Sequence, residues 1–343
     1  MTGAPYRTLG RSGLIVSPLG LGTMTFGAAG WGSDDDVSRA VFDAYVDAGG
    51  NFIDTADVYA GGRSEERVGT YVADRNLRDA LVLATKFTFG ADGGPNASGN
   101  GRKNMYRALE GSLRRLRTDY VDLYYTHLWD TLTPVEEVLQ SLGDLVRAGK
   151  IRYFGFCNVP AAYAAKAATI AAVRGVPGPI ALQLNYSLVD REIEREHVYA
   201  ARECGLGIVP WGPLSSGFLS GKYERIASAP TGSGRFESRD PNRPYVDRDW
   251  RALDALRTVA DEIGRSPAQT ALAWAATQLG IDALLLGART VDQLRDNLAS
   301  IDIHLTPEQR RTLDESSALE PPAFYTSALK AHIFDDDVRG FDR

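Results

Sequence analysis

The sequence predicts an α/β fold, a (β/α)8 TIM barrel with an N-terminal β-hairpin and an extra C-terminal helix, and three observations carry that prediction. Eight short apolar runs alternate with longer amphipathic stretches, a strand–helix repeat of roughly 30–40 residues broken by one long insertion. No apolar run leads into a complete Gly-rich dinucleotide fingerprint: "GLGTMT" at 20–25 lacks the third glycine, which leaves a doubly wound sheet as the runner-up. The 343 residues, 44% hydrophobic and 24% charged, suffice for one sizeable core, and α/β barrels routinely exceed the usual domain length, so 1–343 reads as a single domain.

In chain order, "YRTLGRSGLIVS" (6–17) reads as a hairpin with a Gly-containing turn. The eight strands are "PLGLGT" (18–23), "NFIDTAD" (51–57), "LVLATK" (81–86), "VDLYYTH" (121–127), "IRYFGFC" (151–157), "ALQLNY" (181–186), "GLGIVPW" (205–211) and "ALLLG" (283–287). Helical spacing follows the first three at 34–48, about 64–74 and about 104–117. Pro134 opens "PVEEVLQSLGDLVRAGK", whose apolar positions keep the helical period up to a terminal glycine, and a last helix falls at 306–317. Residues 222–248, rich in Gly, Pro and Ser, read as a long loop. The Gly-rich 90–101 reads as a lid or a loose loop, and 321–343 as a surface-packed or partly disordered tail.

A net charge of −6 argues against a nucleic-acid partner. The start of the chain lacks the apolar stretch of a signal peptide, and no apolar run is long enough for a membrane span. Cys157 and Cys204 are too few and too far apart for a disulfide framework, so a reducing cytoplasmic setting is expected. The four histidines form no His-x-His pair, and three of them, His197, His304 and His332, fall outside strand ends, which disfavours a metal hydrolase. Only six of the 38 basic residues are lysine, so a lysine at a strand end hints that a compact, titratable cation was wanted there.

In a barrel the chemistry sits where strands end. Asp54 shares the parity of Phe52 and Ala56, Lys86 that of Val82 and Ala84, and His127 that of Val121, Leu123 and Tyr125. If those apolar residues face inward, the three polar ones meet at one rim, with Tyr59 two residues beyond its strand. Such a set makes sense as a proton donor. A free phenol has a pKa of about 10, an ammonium beside it lowers that value, and a buried carboxylate keeps the ammonium charged. Histidine then orients the substrate oxygen or shares the proton.

Together with "NFIDTADVY", "LATK", "YYTH", "QLNYSL", "PWGPLSSGFLSGKY" and "GARTVDQLRDN", this set resembles the aldo-keto reductase superfamily over residues 6–318. "HLWD" and the loop 87–103 look most like its aryl-alcohol-dehydrogenase branch. The resemblance implies NADPH-dependent reduction of an aldehyde or ketone, reversible as alcohol oxidation. Tyr59 is then the general acid, Asp54 and Lys86 tune it, and His127 places the carbonyl. It also implies a nicotinamide cofactor bound without a Rossmann fold. Asn158 and Gln183 match the carboxamide contacts, with Cys157 where serine is expected, and Trp211 supplies the stacking ring. "SSGFLSGK", with Ser216 and Lys222, suits a pyrophosphate, Gly212 and Leu214 are further cofactor positions, and Arg235 matches an arginine that closes over the cofactor. Arg289 suits a 2′-phosphate, Gly287 is a further cofactor position, Gln293 stands where many NADP-dependent relatives have a second arginine, and Asp296 and Asn297 are expected at the adenine. Phe26, Trp31, Phe89 and Trp129 would wall a pocket for an apolar or aromatic carbonyl compound. Two rival readings stand beside this one: a cofactor-binding regulatory subunit without turnover, and a Schiff-base lyase using Lys86.

Overall fold

The computed structural model describes residues 6–90, 93–225 and 245–320. A short antiparallel hairpin comes first, β1 (Arg7–Thr8) and β2 (Ile15–Val16). Eight parallel strands follow: β3 (Leu19–Gly22), β4 (Phe52–Asp54), β5 (Val82–Phe87), β6 (Val121–Thr126), β7 (Ile151–Cys157), β8 (Ala181–Gln183), β9 (Gly207–Ile208) and β10 (Leu284–Leu286). They neighbour one another in the order β10-β3-β4-β5-β6-β7-β8-β9. A parallel bridge between Ile208 and Ile281 brings the two edges together, so the sheet curls into a barrel. Six helices alternate with the strands: α1 (Asp35–Asp47), α2 (Arg63–Asp74), α3 (Arg102–Leu116), α4 (Val135–Arg147), α5 (Ala161–Arg174) and α6 (His197–Cys204). Then come α7 (Asp247–Glu262), α8 (Pro267–Ala276), α9 (Val291–Leu298) and the extra α10 (Pro307–Ser317), which packs on α7.

The alternation of side chains along each strand divides the core in two. Phe52, Val82, Ala84, Leu123, Tyr125, Ala181, Val209, Ala283 and Leu285 fill the barrel interior, and Leu9, Leu14 and Val16 of the hairpin region close one end of it. Ile53, Leu83, Tyr124 and Phe154 point the other way and pack beneath the helices. Truncating one interior ring, as in Phe52→Ala, is expected to cost about 3–5 kcal/mol. Gly155 has a steric reason to be there: a Cβ would lie 2.6 Å from the Tyr125 ring and 2.5 Å from the Ala181 carbonyl oxygen.

The strands after Gln183 and around Ile208 are shorter than the sequence suggests. Regular pairing lapses there, yet the extended course continues, with Asn185 bridged to Trp211 and the Trp211 N–H bonded to the Leu184 carbonyl at 2.9 Å. Val121, grouped with the inward positions by parity, belongs to the outer layer instead, at the entry of β6, where pairing to β7 skips a position beside Asp122. In the 87–103 loop, the Asn100 amide N–H and side chain are tied to Asp130 and to the Leu128 carbonyl, and Asn104 bonds the Gly99 carbonyl, so this end of the loop is anchored to the β6 exit. Most of the 222–248 loop, the tail 321–343 and Arg235 lie outside the described residues.

Candidate active site

Register places the rim. Asp54, the last residue of β4, pairs with Ala84, and Lys86, one inward position further along β5, pairs with Tyr125 of β6. Both polar side chains are buried. The Lys86 ammonium donates to Asp54 Oδ1 at 2.5 Å, to the Thr55 carbonyl at 2.8 Å and to Tyr59 Oη at 3.2 Å. Tyr59 opens a tight turn in which Ala60, Gly61 and Gly62 all have left-handed backbones. Gly62 is needed at its end, where a Cβ would meet the Arg115 side chain at 2.8 Å and φ is +90°.

An ammonium has three N–H donors and no acceptor. All three are used here, so the Tyr59 oxygen accepts from Lys86 and its own proton is free to point elsewhere. Burial works against the Lys86 charge, but Asp54, Tyr59 and Cys157 together hold its pKa above the ordinary lysine value. Burial likewise moves the Asp54 carboxyl upward, against the pull of Lys86 and Gln183. For Tyr59, burial raises the pKa and Lys86 opposes it; the net direction is upward. The ammonium alone would lower the phenol pKa, as expected from the sequence, but the loss of water around the buried ring outweighs it.

His127 follows β6, and its ring meets Tyr59 edge-on at 5.7 Å and Phe89 at 5.0 Å. Burial and then Lys86 push its pKa down to about 3, so the imidazole is neutral and keeps one donor and one acceptor nitrogen. Its Nδ1 is buried without a hydrogen-bond partner. Behind the turn, burial and then Glu65 push the Asp57 carboxyl up to about 7. Glu65 is itself buried and held by Thr85 at 2.5 Å and Arg115 at 2.7 Å. Neither Glu65 nor the Asp57–Glu65 proximity was foreseen; the "SEER" that starts α2 looks like an ordinary acidic first turn.

A cavity of about 640 Å³ opens over this rim. Asp54, Tyr59 and His127 line it, Lys86 stands just beneath, and the other described residues named for a cofactor line it as well: Cys157, Asn158, Gln183, Trp211, Gly212, Leu214, Ser216, Lys222, Gly287, Arg289, Gln293, Asp296 and Asn297. Details differ from the expectations. Gln183 Nε2 donates to Asp54 Oδ2 at 2.8 Å. Asp296 accepts from Gln269 and from Ser266, the N-cap of α8. Cys157 is buried, and burial pushes its thiol up to about 12, so it is neutral. Of the four aromatic residues expected to wall the pocket, only Phe89 does so. Phe26 is wholly buried in the outer core against Tyr71, because its chain turns inward beside Ser33. Trp31 and Trp129 stand partly exposed outside the lining. Met24, Pro213, Leu272, Leu285 and Leu286 supply apolar wall in their place.

A larger concavity, about 750 Å³, lies between α1, α2 and α3. It is open and lined by charges such as the Arg67–Asp35 pair, and none of the residues singled out in the sequence lines it. Among the described residues no cluster of His, Cys, Asp and Glu is suited to a metal ion, and no helix is long and apolar enough to cross a membrane.

A parallel barrel with a buried ammonium–carboxylate pair touching a phenol, under a cleft at the strand ends, has the arrangement of a barrel protein whose chemistry sits at its rim. The aldo/keto reductase family model matches residues 18–318, and the chain belongs to that family. It is 38% identical over 312 residues to a probable voltage-gated potassium channel subunit beta of Oryza sativa subsp. japonica, covering 88% of this chain and 93% of that one. It is 36% identical to a norsolorinic acid reductase of Emericella nidulans (89% and 79% covered) and 34% identical to an NADP(+) aryl-alcohol dehydrogenase of Phanerodontia chrysosporium (89% and 83% covered). Membership and the reductase and dehydrogenase relatives support an oxidoreductase acting on small-molecule carbonyl compounds.

Proposed function

We propose that the protein reduces an aldehyde or ketone with NADPH, and oxidises the matching alcohol with NADP+, using Tyr59 as the proton donor. The observation that carries the reading is the 3.2 Å bond from Lys86 to Tyr59 Oη, with Asp54 directly behind the ammonium. Because Lys86 has no donor left, the Tyr59 proton is available to a carbonyl oxygen in the cavity. As that proton leaves, the fixed positive charge below stabilises the phenolate, which needs no rearrangement of solvent. The neutral His127 imidazole orients the same oxygen by a hydrogen bond.

The residues present fit a nicotinamide dinucleotide phosphate. Lys222 and Arg289 both line the far part of the cavity, and among the described residues neither has an acidic side chain within ion-pair distance. Burial and then Arg289 push the Lys222 pKa down. Trp211 is 39% exposed and anchored by its indole N–H on Asn158 at 3.0 Å, leaving a fixed aromatic face for a flat ring. Arg289, a planar fork of donors, suits a 2′-phosphate. The bound cofactor would supply the hydride. The apolar wall of Met24, Phe89, Leu285 and Leu286 excludes water and favours an apolar or aromatic carbonyl substrate over a sugar.

A lyase that forms a Schiff base on Lys86 is disfavoured, because an ammonium held charged by Asp54 has no lone pair for attack. A regulatory subunit without turnover gains from the likeness to the channel beta subunit, but the four-residue acid arrangement is complete here. The test is NADPH oxidation over a panel of aldehydes and ketones, repeated with Tyr59→Phe. Turnover that disappears in the variant while NADPH still binds supports the reading. Tight binding with no turnover on any carbonyl would favour the regulatory role, and faster reduction of sugars than of aromatic aldehydes would overturn the substrate class.

A further inference from the structure

A run of hydrogen bonds joins the Trp211 side of the cavity to the phenol. Trp211 Nε1 donates to Asn158 Oδ1, and Asn158 Nδ2 donates to the His127 carbonyl at 3.2 Å and to Cys157 Sγ at 3.1 Å. The Cys157 thiol faces Gln183 Oε1 at 3.8 Å, Gln183 Nε2 donates to Asp54, and Asp54 accepts Lys86, which reaches Tyr59. The partners fix both amides. An indole N–H only donates and a backbone carbonyl only accepts, so Asn158 has one orientation; Asp54 as a carboxylate only accepts, so Gln183 turns its nitrogen inward and its oxygen toward Cys157.

Asp54 is therefore shared between two donors. Gln183 bonds Oδ2 and Lys86 bonds Oδ1, so the amide donor stabilises part of the carboxylate charge that would otherwise act on Lys86 alone. We propose that Gln183 is a positioning residue for the proton donor: by donating to Asp54 it keeps the carboxylate from drawing Lys86 away from Tyr59, and so sets how readily Tyr59 releases its proton. Without the amide donor, Asp54 grips the ammonium alone and its field falls undiminished on the phenol. Both changes make the Tyr59 proton harder to remove. The titratable groups facing Tyr59 are Lys86, Asp54, Cys157 and His127, with Tyr125 below Asp54. Burial keeps Cys157 and Tyr125 protonated and His127 uncharged around neutrality, so the charge seen by Tyr59 belongs to the Lys86–Asp54 pair that Gln183 adjusts.

The inference rests on Tyr59 being the acid, but its test does not need turnover. Difluorotyrosine, which ionises at lower pH than tyrosine, is placed at position 59 and titrated by fluorine NMR in the protein alone. The same titration is run in Gln183→Met and in Gln183→Asn, whose shorter arm withdraws the donor while keeping the site polar should the apolar variant not fold. NADP+ affinity is measured alongside. The expected result is that ionisation at position 59 moves to higher pH in each folded variant. An unmoved or lowered ionisation, including one that accompanies weakened NADP+ binding, overturns the proposal and leaves Gln183 as a ligand contact only. Failure of the carbonyl panel would instead remove the reductase reading and leave this titration to stand or fall by itself.

Discussion

The cavity holds charge in two opposite ways at its two ends. Where β4, β5 and β6 finish, Lys86 and Asp54 are buried, in contact, and fully hydrogen-bonded by Thr55, Tyr59 and Gln183. Beyond β9 and β10, Lys222 and Arg289 face the same cavity with no acidic partner among the described residues. The first end is electrostatically closed, with the Tyr59 hydroxyl accepting from Lys86. The second carries two cations that suit an anion. On the proposed reading one barrel rim binds a phosphorylated cofactor and does proton chemistry beside it, because compensation is complete at one end and, among the described residues, absent at the other.

The largest effect should come from the closed end. Tyr59→Phe removes the proton donor and is expected to lower turnover by about 10²–10⁴ with NADPH affinity retained, read by steady-state kinetics and equilibrium binding. A fall in affinity equal to the fall in turnover would dissolve the distinction between the two ends. Next, Lys86→Met leaves a buried carboxylate unpaired and should cost about 3–5 kcal/mol in denaturant unfolding. Adding Asp54→Asn should restore most of that stability and none of the activity. If the double variant is no more stable than the single one, the pair is not the closed unit described here.

The open end predicts a different signature. Arg289→Ala should weaken NADPH by about ten- to a hundredfold, the worth of a hydrogen bond to a charged group, and leave NADH nearly unchanged. Equal losses for both cofactors would place Arg289 away from the 2′-phosphate. The smallest effect lies behind the Tyr59 turn. Asp57 binds its proton more tightly folded than unfolded, with the carboxyl raised from 3.8 to about 7. Its contribution to stability is present below the unfolded value and is lost as pH rises toward about 7. Asp57→Asn should therefore melt higher than the parent protein at about pH 8 and alike at about pH 3. The opposite order would mean that Asp57 is paired as an anion.

Much of the closed end was legible because strand parity is a local property. Phe52, Val82, Ala84, Leu123 and Tyr125 do share the barrel interior, and Asp54 and Lys86 follow them by period two. The exceptions are instructive. Val121 sits at a strand entry, where pairing has not yet become regular. Phe26 looked like a rim aromatic, but the loop after β3 folds back through Ser33 and carries it into the core. The net upward shift of Tyr59 was not legible at all, since it depends on how much water the finished cavity removes.

The sequence by itself determined the barrel and which residue types stand at its strand ends, because alternation, turn residues and helical spacing act over a few neighbouring positions. Only the tertiary structure decided which partners those groups take: that Gln183, 129 residues from Asp54 along the chain, donates to it, and that Lys222 and Arg289 have no acidic partner among the described residues. Hydrogen bonds and charges act through a few ångströms of space, and chain separation carries no record of which strands a closed barrel will set side by side.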